Sequence, residues 1–230
     1  MSKRHGHPAG FDWARLESVT PEDPLRVLFS ACLLGRATGW DGAAYTEPLA
    51  LRLSRLDRVR SVLFCPEHVS LGTPRPLTTL YDGHGRDVLA GRARILDTNM
   101  RDVTRELIGG ARQMLDAARE ANVELAVMMD VSDSCGSHAV YIGPPSDRRY
   151  QQGPGVAAAL LMENGFPVLA QRDHATLSAI VAALDPTFEP DPEARDFVDH
   201  PWFIDYFRDG PVGPKLADYE RRKSHRSGAG

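Results

Sequence analysis

Cysteine is scarce in this sequence. Only three of the 230 residues are cysteines, and an odd number does not suit the disulfide framework of a small secreted protein. In a reducing cytoplasm, cysteines are free thiols or metal ligands. The scarcity therefore excludes a disulfide-stabilised extracellular scaffold and raises the question of what each thiol does.

Long apolar runs and an excess of one charge are also missing. No apolar stretch approaches the roughly 18 residues of a membrane span, and the N-terminal segment MSKRHGHPAGFDWARLE has basic residues without the apolar core of a secretory signal. The formal net charge of −4 gives no electrostatic footprint for long nucleic acid or for an anionic membrane. We therefore expect a cytoplasmic protein whose partner is a small neutral or modestly charged molecule.

The residues that are present have the composition of an ordinary globular protein. Hydrophobic residues make up 42% and charged residues 25%, so a chain of this length can bury a substantial core. We predict an N-terminal extension over residues 1–24, one α/β domain over residues 25–185, and a partly ordered C-terminal tail over residues 186–230. The tail holds one aromatic cluster at residues 200–207, which we expect to pack the tail onto the domain.

Strands and helices alternate along the predicted domain. Short apolar runs predict strands at residues 25–31, 59–64, 125–129 and 166–170. Apolar residues and breakers predict helices at residues 103–118, 156–164 and 175–184. The Gly- and Pro-rich segment 71–97 predicts a long loop with a short hairpin. The alternation is typical of a Rossmann-like α/β fold, a three-layer sandwich whose mostly parallel central sheet is flanked by helices.

The three cysteines share one position relative to the predicted strands. Cys32, Cys65 and Cys135 each lie just past the carboxyl end of a strand, beside Gly, Pro or Ser. The carboxyl ends of parallel strands meet at one edge of an open sheet, where ligands bind. A single buried cysteine is usually a small hydrophobe, but three in this position indicate convergence on one point.

Several chemistries fit three converging thiols. A structural zinc takes four ligands, and His68 is a possible fourth. An iron–sulfur cluster usually takes four cysteines, so three would leave one iron open. A nucleophilic cysteine needs one thiol and a nearby histidine. The spacing of the cysteines alone does not separate these alternatives.

Six short motifs, in order along the chain, carry a family resemblance. They are SACLLG at 30–35 with WDG at 40–42, CPE at 65–67, TPR at 73–75, DVT at 102–104, SDSCGS at 132–137 and GPGVAAALL at 153–161. Together they resemble the thiouracil desulfurase family over roughly residues 25–184. The resemblance implies a [4Fe-4S] cluster held by Cys32, Cys65 and Cys135, with one iron not ligated by protein. That iron would bind the sulfur of a thiolated pyrimidine base or nucleoside, and C–S cleavage would proceed without net redox change.

The residue chemistry agrees with this implied reaction. Replacing a thiocarbonyl sulfur by oxygen needs a soft, thiophilic Lewis acid and a general base for the attacking water. Glu67 lies two residues past a predicted ligand and is the best-placed carboxylate, although a surface or N-cap glutamate is the alternative. Ser132 resembles a serine of the family motif and would hydrogen-bond substrate or water, unless it is a turn serine.

Four further residues are candidates for substrate binding. Asp41 would bind a ring N–H or cap a turn, and Arg75 would clamp a carbonyl or phosphate or form a salt bridge within its loop. Gly155 precedes a predicted helix whose N-terminus would accept an anion, unless the segment is a plain glycine-rich turn. Ser134 would contact substrate or cap the backbone.

The chain departs from the family pattern near the third cysteine. Met129 and Val131 stand where the family commonly has a lysine and an arginine, and Asp133 stands where it has proline. Relative to the family pattern, this region loses positive charge and gains a carboxylate. We expect the change to affect whether the substrate is a base, a nucleoside or a nucleotide. Asp133 is a turn former or a second acid/base group.

Two other functions remain open from the sequence. One is a non-catalytic zinc- or cluster-stabilised module that binds nucleotides or a protein. The other is a thiol hydrolase that uses a single cysteine.

Overall fold

The computed structural model describes residues 8–227, with the backbone alone for residues 145 and 222–227. The strands in this range are β1 Leu25–Ser30, β2 Val59–Phe64, β3 Thr78–Tyr81, β4 Arg94–Asp97, β5 Leu125–Met128, β6 Ala139–Ile142, β7 Arg149–Gln152 and β8 Val168–Ala170. The helices are α1 Arg15–Ser18, α2 Pro48–Ser54, α3 Pro66–Leu71, α4 Gly85–Leu89, α5 Thr104–Glu120, α6 Val156–Glu163, α7 His174–Leu184, α8 Pro201–Tyr206 and α9 Leu216–Ser227.

The central sheet is parallel and has the strand order β2-β1-β5-β8. These four strands are the ones predicted from apolar runs, and β5 is buried along its whole length. The register pairs Ser30 with Phe64 and Phe29 with Val127, so β1, β2 and β5 end at the same edge. The prediction of a Rossmann-like parallel sheet flanked by helices is confirmed.

Helices cover both faces of this sheet because successive side chains of a strand point to opposite faces. On one face, Leu28 packs in the core formed with α5 and α6. On the other face, Val27 and Phe29 pack with α2 and α7. Helix α5 buries the residues that the spacing predicts for one face, among them Leu107, Ala111, Met114 and Ala118. The result is a three-layer sandwich.

A second, smaller sheet was not predicted from the sequence. Its order is β4-β3-β6-β7, with β3 and β4 antiparallel, β3 and β6 parallel, and β6 and β7 antiparallel. The segment 71–97, predicted as a loop with a hairpin, instead holds the last residue of α3 and the whole of β3, α4 and β4. Its antiparallel β3–β4 pair is the one feature that the prediction anticipated.

The described part of the C-terminal tail packs against the second sheet. Phe197, Phe203, Tyr206 and Phe207 are buried in a cluster that includes Ala139 at the start of β6. Residues 211–216 run along the free edge of β7, to which they are joined by three backbone hydrogen bonds of 2.7–3.0 Å. The expected packing of the tail is observed, while the domain boundaries remain predictions. None of the helices in the described range is long and apolar enough to cross a membrane.

Candidate functional site

A pocket of about 430 Å³ lies at the edge of the central sheet where β1, β2 and β5 end. Cys32, Cys65 and Cys135 all line it. The convergence predicted from their positions after strands therefore occurs in the structure. Glu67, Ser132 and Arg75, three of the predicted site residues, line the same pocket.

Each cysteine is presented by a short turn after its strand. Cys32 lies in a 3-10 helix, Ala31–Leu34, directly after β1. Cys65 is the N-cap of α3, where its Sγ accepts a hydrogen bond from the His68 backbone N–H at 3.4 Å. Cys135 follows β5 in a turn whose next residue, Gly136, has no room for a side chain, because a Cβ there would lie 2.3 Å from the Ala139 carbonyl oxygen.

The three thiols are held in a low-dielectric environment. Burial raises the pKa of Cys32 to about 12, and the charges of Cys65 and Glu67 add to the rise. Burial also raises the pKa of Cys65 and raises that of Cys135 well above its usual value. Three thiolates at this place would therefore need positive charge to stabilise them, as metal ions supply when thiols act as ligands.

The donor set does not match a single metal ion. Within the described residues, no group of three or more His, Cys, Asp or Glu side chains is arranged to hold one ion. His68, the possible fourth zinc ligand, is exposed, and its Nδ1 lies 2.8 Å from Thr73 Oγ1. Three thiols that share a pocket but not one ion fit a cluster better, because each thiolate of a cubane binds a different iron.

Glu67 has partners on both carboxylate oxygens. The Ser132 hydroxyl donates to Oε1 at 3.1 Å, and Arg75 donates to Oε2 from Nη2 at 2.7 Å and from Nε at 3.1 Å. Ser132 Oγ in turn accepts from the backbone N–H of Cys135 at 3.1 Å. The predicted acid/base pair is thus one hydrogen-bonded unit that is linked to two of the three cysteine-bearing turns.

The Arg75 guanidinium is hydrogen-bonded to several other groups of the protein. Its side chain is only 4% exposed, and besides Glu67 it donates to the carbonyl oxygens of Thr38 and Gly72 and to the Thr73 hydroxyl. This arrangement matches the alternative of a salt bridge within the loop. Arg75 lines the pocket, but its contacts hold Glu67 and the surrounding loops in place.

Three predicted substrate-binding residues lie outside the pocket lining. Asp41 is exposed, and its Oδ1 accepts from the Ala43 N–H and the Tyr45 hydroxyl, which makes it a turn cap. Ser134 is fully buried. The backbone N–H of Gly155 donates to the Gly136 carbonyl oxygen at 2.7 Å. The first N–H groups of α6 bond to the carbonyls of Asp133 and Ser134, so this helix end does not present free donors to an anion.

The second sheet contributes pocket residues that the sequence did not indicate. Thr78 lies in β3, Tyr141 lies in β6, and Arg148 directly precedes β7. They were missed because β6, β7 and the packing of the second sheet against the central sheet were not predicted. Trp40 and Tyr45 also line the pocket and are 42% and 37% exposed, which marks them as the outer part of the lining.

Asp133 faces this second group of residues. It is 4% exposed and lines the pocket. Burial raises the pKa of its carboxyl well above the usual range, and the Glu67 carboxylate adds to the rise. Hydrogen bonds from the Thr78 side chain and the Tyr141 backbone, together with the Arg148 charge, act in the opposite direction.

Comparisons with known proteins give the chain a family. A family model described as 2-thiouracil desulfurase matches residues 27–173. The uncharacterized protein YbbK of Bacillus subtilis (strain 168) is 33% identical over 148 residues, which span 64% of this chain and 96% of that protein. A solved structure of a [4Fe-4S]-dependent thiouracil desulfidase, TudS, has a TM-score of 0.56 and 27% identity, covering 68% of this chain and 97% of that one. The family model covers more than half of the sequence, so the chain belongs to the 2-thiouracil desulfurase family.

Proposed function

We propose that this enzyme removes sulfur from a thiolated pyrimidine and releases the oxo base and sulfide. The overall reaction balances as a thiocarbonyl plus water giving a carbonyl plus hydrogen sulfide, with no net redox change. The observation that carries the proposal is that three thiols and the Glu67–Ser132 pair line one pocket. A non-catalytic module would have no need for a half-buried, hydrogen-bonded acid/base pair beside its thiols, and the family assignment also favours an enzyme.

We assign Cys32, Cys65 and Cys135 as the protein ligands of a [4Fe-4S] cluster with one iron free of protein ligands. When bound, the cluster would supply a soft Lewis acid for the substrate sulfur. The chain presents three thiols to the pocket, and a fourth cysteine is absent from the whole sequence. Since none of these three cysteines forms a disulfide, we also propose a reducing, cytoplasmic location.

Glu67 and Ser132 have complementary roles in this proposal. Glu67 takes a proton from the attacking water, and the Arg75 guanidinium holds the carboxylate in place through two hydrogen bonds. The Ser132 hydroxyl donates a hydrogen bond to Glu67 Oε1, and its oxygen accepts one from the backbone N–H of Cys135. Its hydroxyl can therefore rotate toward a substrate atom or a water without losing its backbone contact.

The pocket suits a planar heteroaromatic ring. Its volume of about 430 Å³ is in the range of small-molecule sites. The rings of Trp40 and Tyr45 give apolar surfaces on which a base can stack. The substrate is thus proposed to be a small thiolated base or nucleoside rather than a long nucleic acid.

Anaerobic purification followed by metal analysis tests the assignment. We expect iron and acid-labile sulfide, broad visible absorbance, and release of sulfide from 2-thiouracil in proportion to the iron content. Serine substitutions at the three cysteines should each lower the iron per chain. A colourless protein with one zinc, or an iron-loaded protein that releases no sulfide from any thiolated pyrimidine, would contradict the proposal.

A further inference from the structure

One part of the pocket contains buried polar atoms that lack a partner. Asp133 Oδ1 and Arg148 Nε are both buried without a hydrogen bond, and both residues line the pocket. A native protein keeps few buried donors or acceptors without partners, because leaving them unpaired is unfavourable. A ligand that bonds to both atoms would remove this deficit.

The two groups do not satisfy each other. One is an acceptor and the other a donor, yet neither atom has the other as a hydrogen-bond partner in the described residues. They are close enough for the Arg148 charge to act on the Asp133 carboxyl. The part of the pocket beside them therefore offers an acceptor and a donor to the same ligand.

Both side chains are fixed in position. The Arg148 guanidinium lies over the Tyr141 ring at 4.7 Å, and its Nη2 donates to Thr79 Oγ1 at 3.2 Å. Asp133 is only 4% exposed, so the surrounding residues leave its carboxyl little room to move. Groups that are already ordered bind a ligand without a further loss of side-chain entropy.

We propose that Asp133 and Arg148 form a specificity subsite for the imide edge of the thiolated pyrimidine. This inference rests on the proposed function and names residues that choose its substrate. Asp133 Oδ1 accepts from the ring N–H, and Arg148 Nε donates to the neighbouring ring carbonyl oxygen. The thiocarbonyl carbon then faces the cysteines and Glu67, which line the same pocket.

The subsite would discriminate between bases by their hydrogen-bonding pattern. A uracil-type edge has an N–H beside a carbonyl oxygen and complements the two protein atoms. A cytosine-type edge has an unprotonated nitrogen beside an amino group, so acceptor would face acceptor and donor would face donor. A site built to hydrogen-bond one pattern rejects the other because its own buried groups are left unpaired.

The test compares Arg148→Met and Asp133→Asn with Arg149→Met as the matched control. Arg149 is the adjacent arginine, pairs with Asp147 and is absent from the pocket lining. In iron-loaded protein, KM and kcat per cluster are measured for 2-thiouracil and 2-thiocytosine. We expect both pocket variants to raise KM for 2-thiouracil by about 10- to 100-fold and to shrink the preference over 2-thiocytosine. Iron content should stay at the wild-type level in both pocket variants. The Arg149→Met variant should keep the KM, the kcat and the iron content of the wild type.

A second measurement separates this subsite from the reaction itself. Binding of uracil, which carries the same imide edge and no sulfur, is measured by calorimetry on the cluster-loaded protein. If the wild type releases sulfide but the pocket variants keep its KM and its preference, the subsite is overturned and the proposed function stands. If the wild type releases no sulfide, the proposed function fails. Weaker uracil binding in both pocket variants would then still support the subsite. Uracil binding that is unchanged in the variants, or that is undetectable in the wild type, would overturn it.

Discussion

At the scale of single residues, Glu67 is held in one orientation by a donor on each oxygen. Ser132 contacts Oε1 and Arg75 contacts Oε2. Glu67→Gln keeps the shape of the side chain and leaves the three cysteines untouched. We expect this variant to bind iron like the wild type and to turn over roughly a hundredfold more slowly, because the proposed general base is lost. Sulfide release from 2-thiouracil, normalised to iron, measures the effect.

Glu163→Gln is a suitable control for this substitution. Glu163 is exposed at the end of α6 and outside the pocket lining, so the same chemical change there should leave turnover unaltered. A structural role for Glu67 would give the opposite pattern, with less iron per chain and normal turnover per cluster. That pattern would shift the general-base role away from Glu67.

The thiols of the cluster-free protein should react slowly with alkylating agents, because the thiolate is the nucleophile. A pKa of about 12 for Cys32 leaves so little thiolate at pH 8 that alkylation should be roughly a thousandfold slower than for an exposed cysteine. Cys65 is more exposed than Cys32 and Cys135 and should be modified first. Mass spectrometry after iodoacetamide treatment from pH 7 to pH 10 gives the rates. Denatured protein should label quickly at all three positions, and equally fast labelling of the folded protein would contradict the expectation.

Sequence position sufficed to predict the thiol cluster but not the rest of the pocket wall. Cys32, Cys65 and Cys135 converge because each follows a strand of one parallel sheet, and the chain direction fixes where such strands end. Tyr141 and Arg148 reach the pocket only through the second sheet. Their approach depends on how two sheets pack, which no local pattern encodes.

At the scale of elements, two adjacent glycines of α5 have opposite surroundings. A Cβ on Gly110 would lie 2.1 Å from the Pro66 carbonyl oxygen, while a Cβ on Gly109 meets nothing within 4 Å. Gly110→Ala should therefore push α3 away and destabilise the fold by about 1–3 kcal/mol. Because α3 follows Cys65 and begins with Pro66 and Glu67, iron content should fall as well. Denaturant unfolding and iron analysis measure both effects.

Gly109→Ala is the matched control within the same helix. Alanine is a better helix former than glycine, so this variant should gain about 0.5–1 kcal/mol and keep its iron. If both variants behave alike, the close approach of α3 to α5 does not set the position of Cys65. If Gly110→Ala loses stability but keeps full iron and turnover, the contact stabilises the fold without positioning the site.

The two sheets differ in how well their strands could be predicted. Strand β5 is a continuous apolar run that is buried on both faces, which distinguishes it from loop. Strand β7 has the sequence RYQQ, is half-buried throughout and shows no apolar alternation. Its pairing with β6 and with residues 211–216 is set by long-range contacts of the tail. Such tertiary contacts override local propensity.

At the scale of the whole molecule, the pocket joins segments that are far apart in the chain. The three cysteines are separated by 33 and 70 residues, and each follows a different strand of the central sheet. The second sheet and the tail behind it complete the other wall, since residues 211–216 pair with β7 next to Arg148. A group that binds in this pocket therefore contacts segments from most of the fold. Its binding should stabilise these segments together.

Removal of the proposed [4Fe-4S] cluster should lower the unfolding temperature of the whole protein. A group that binds the folded chain at a thousand times its dissociation constant contributes about 4 kcal/mol, which corresponds to roughly 10 °C for a domain of this size. Differential scanning calorimetry of anaerobic protein before and after chelation measures the shift. The variant with Cys32, Cys65 and Cys135 all changed to Ser is the control, because chelation should leave its unfolding temperature unchanged. An equal shift in that variant would mean that the chelator acts elsewhere, and no shift in the wild type would mean that the cysteines do not couple a bound cluster to the fold.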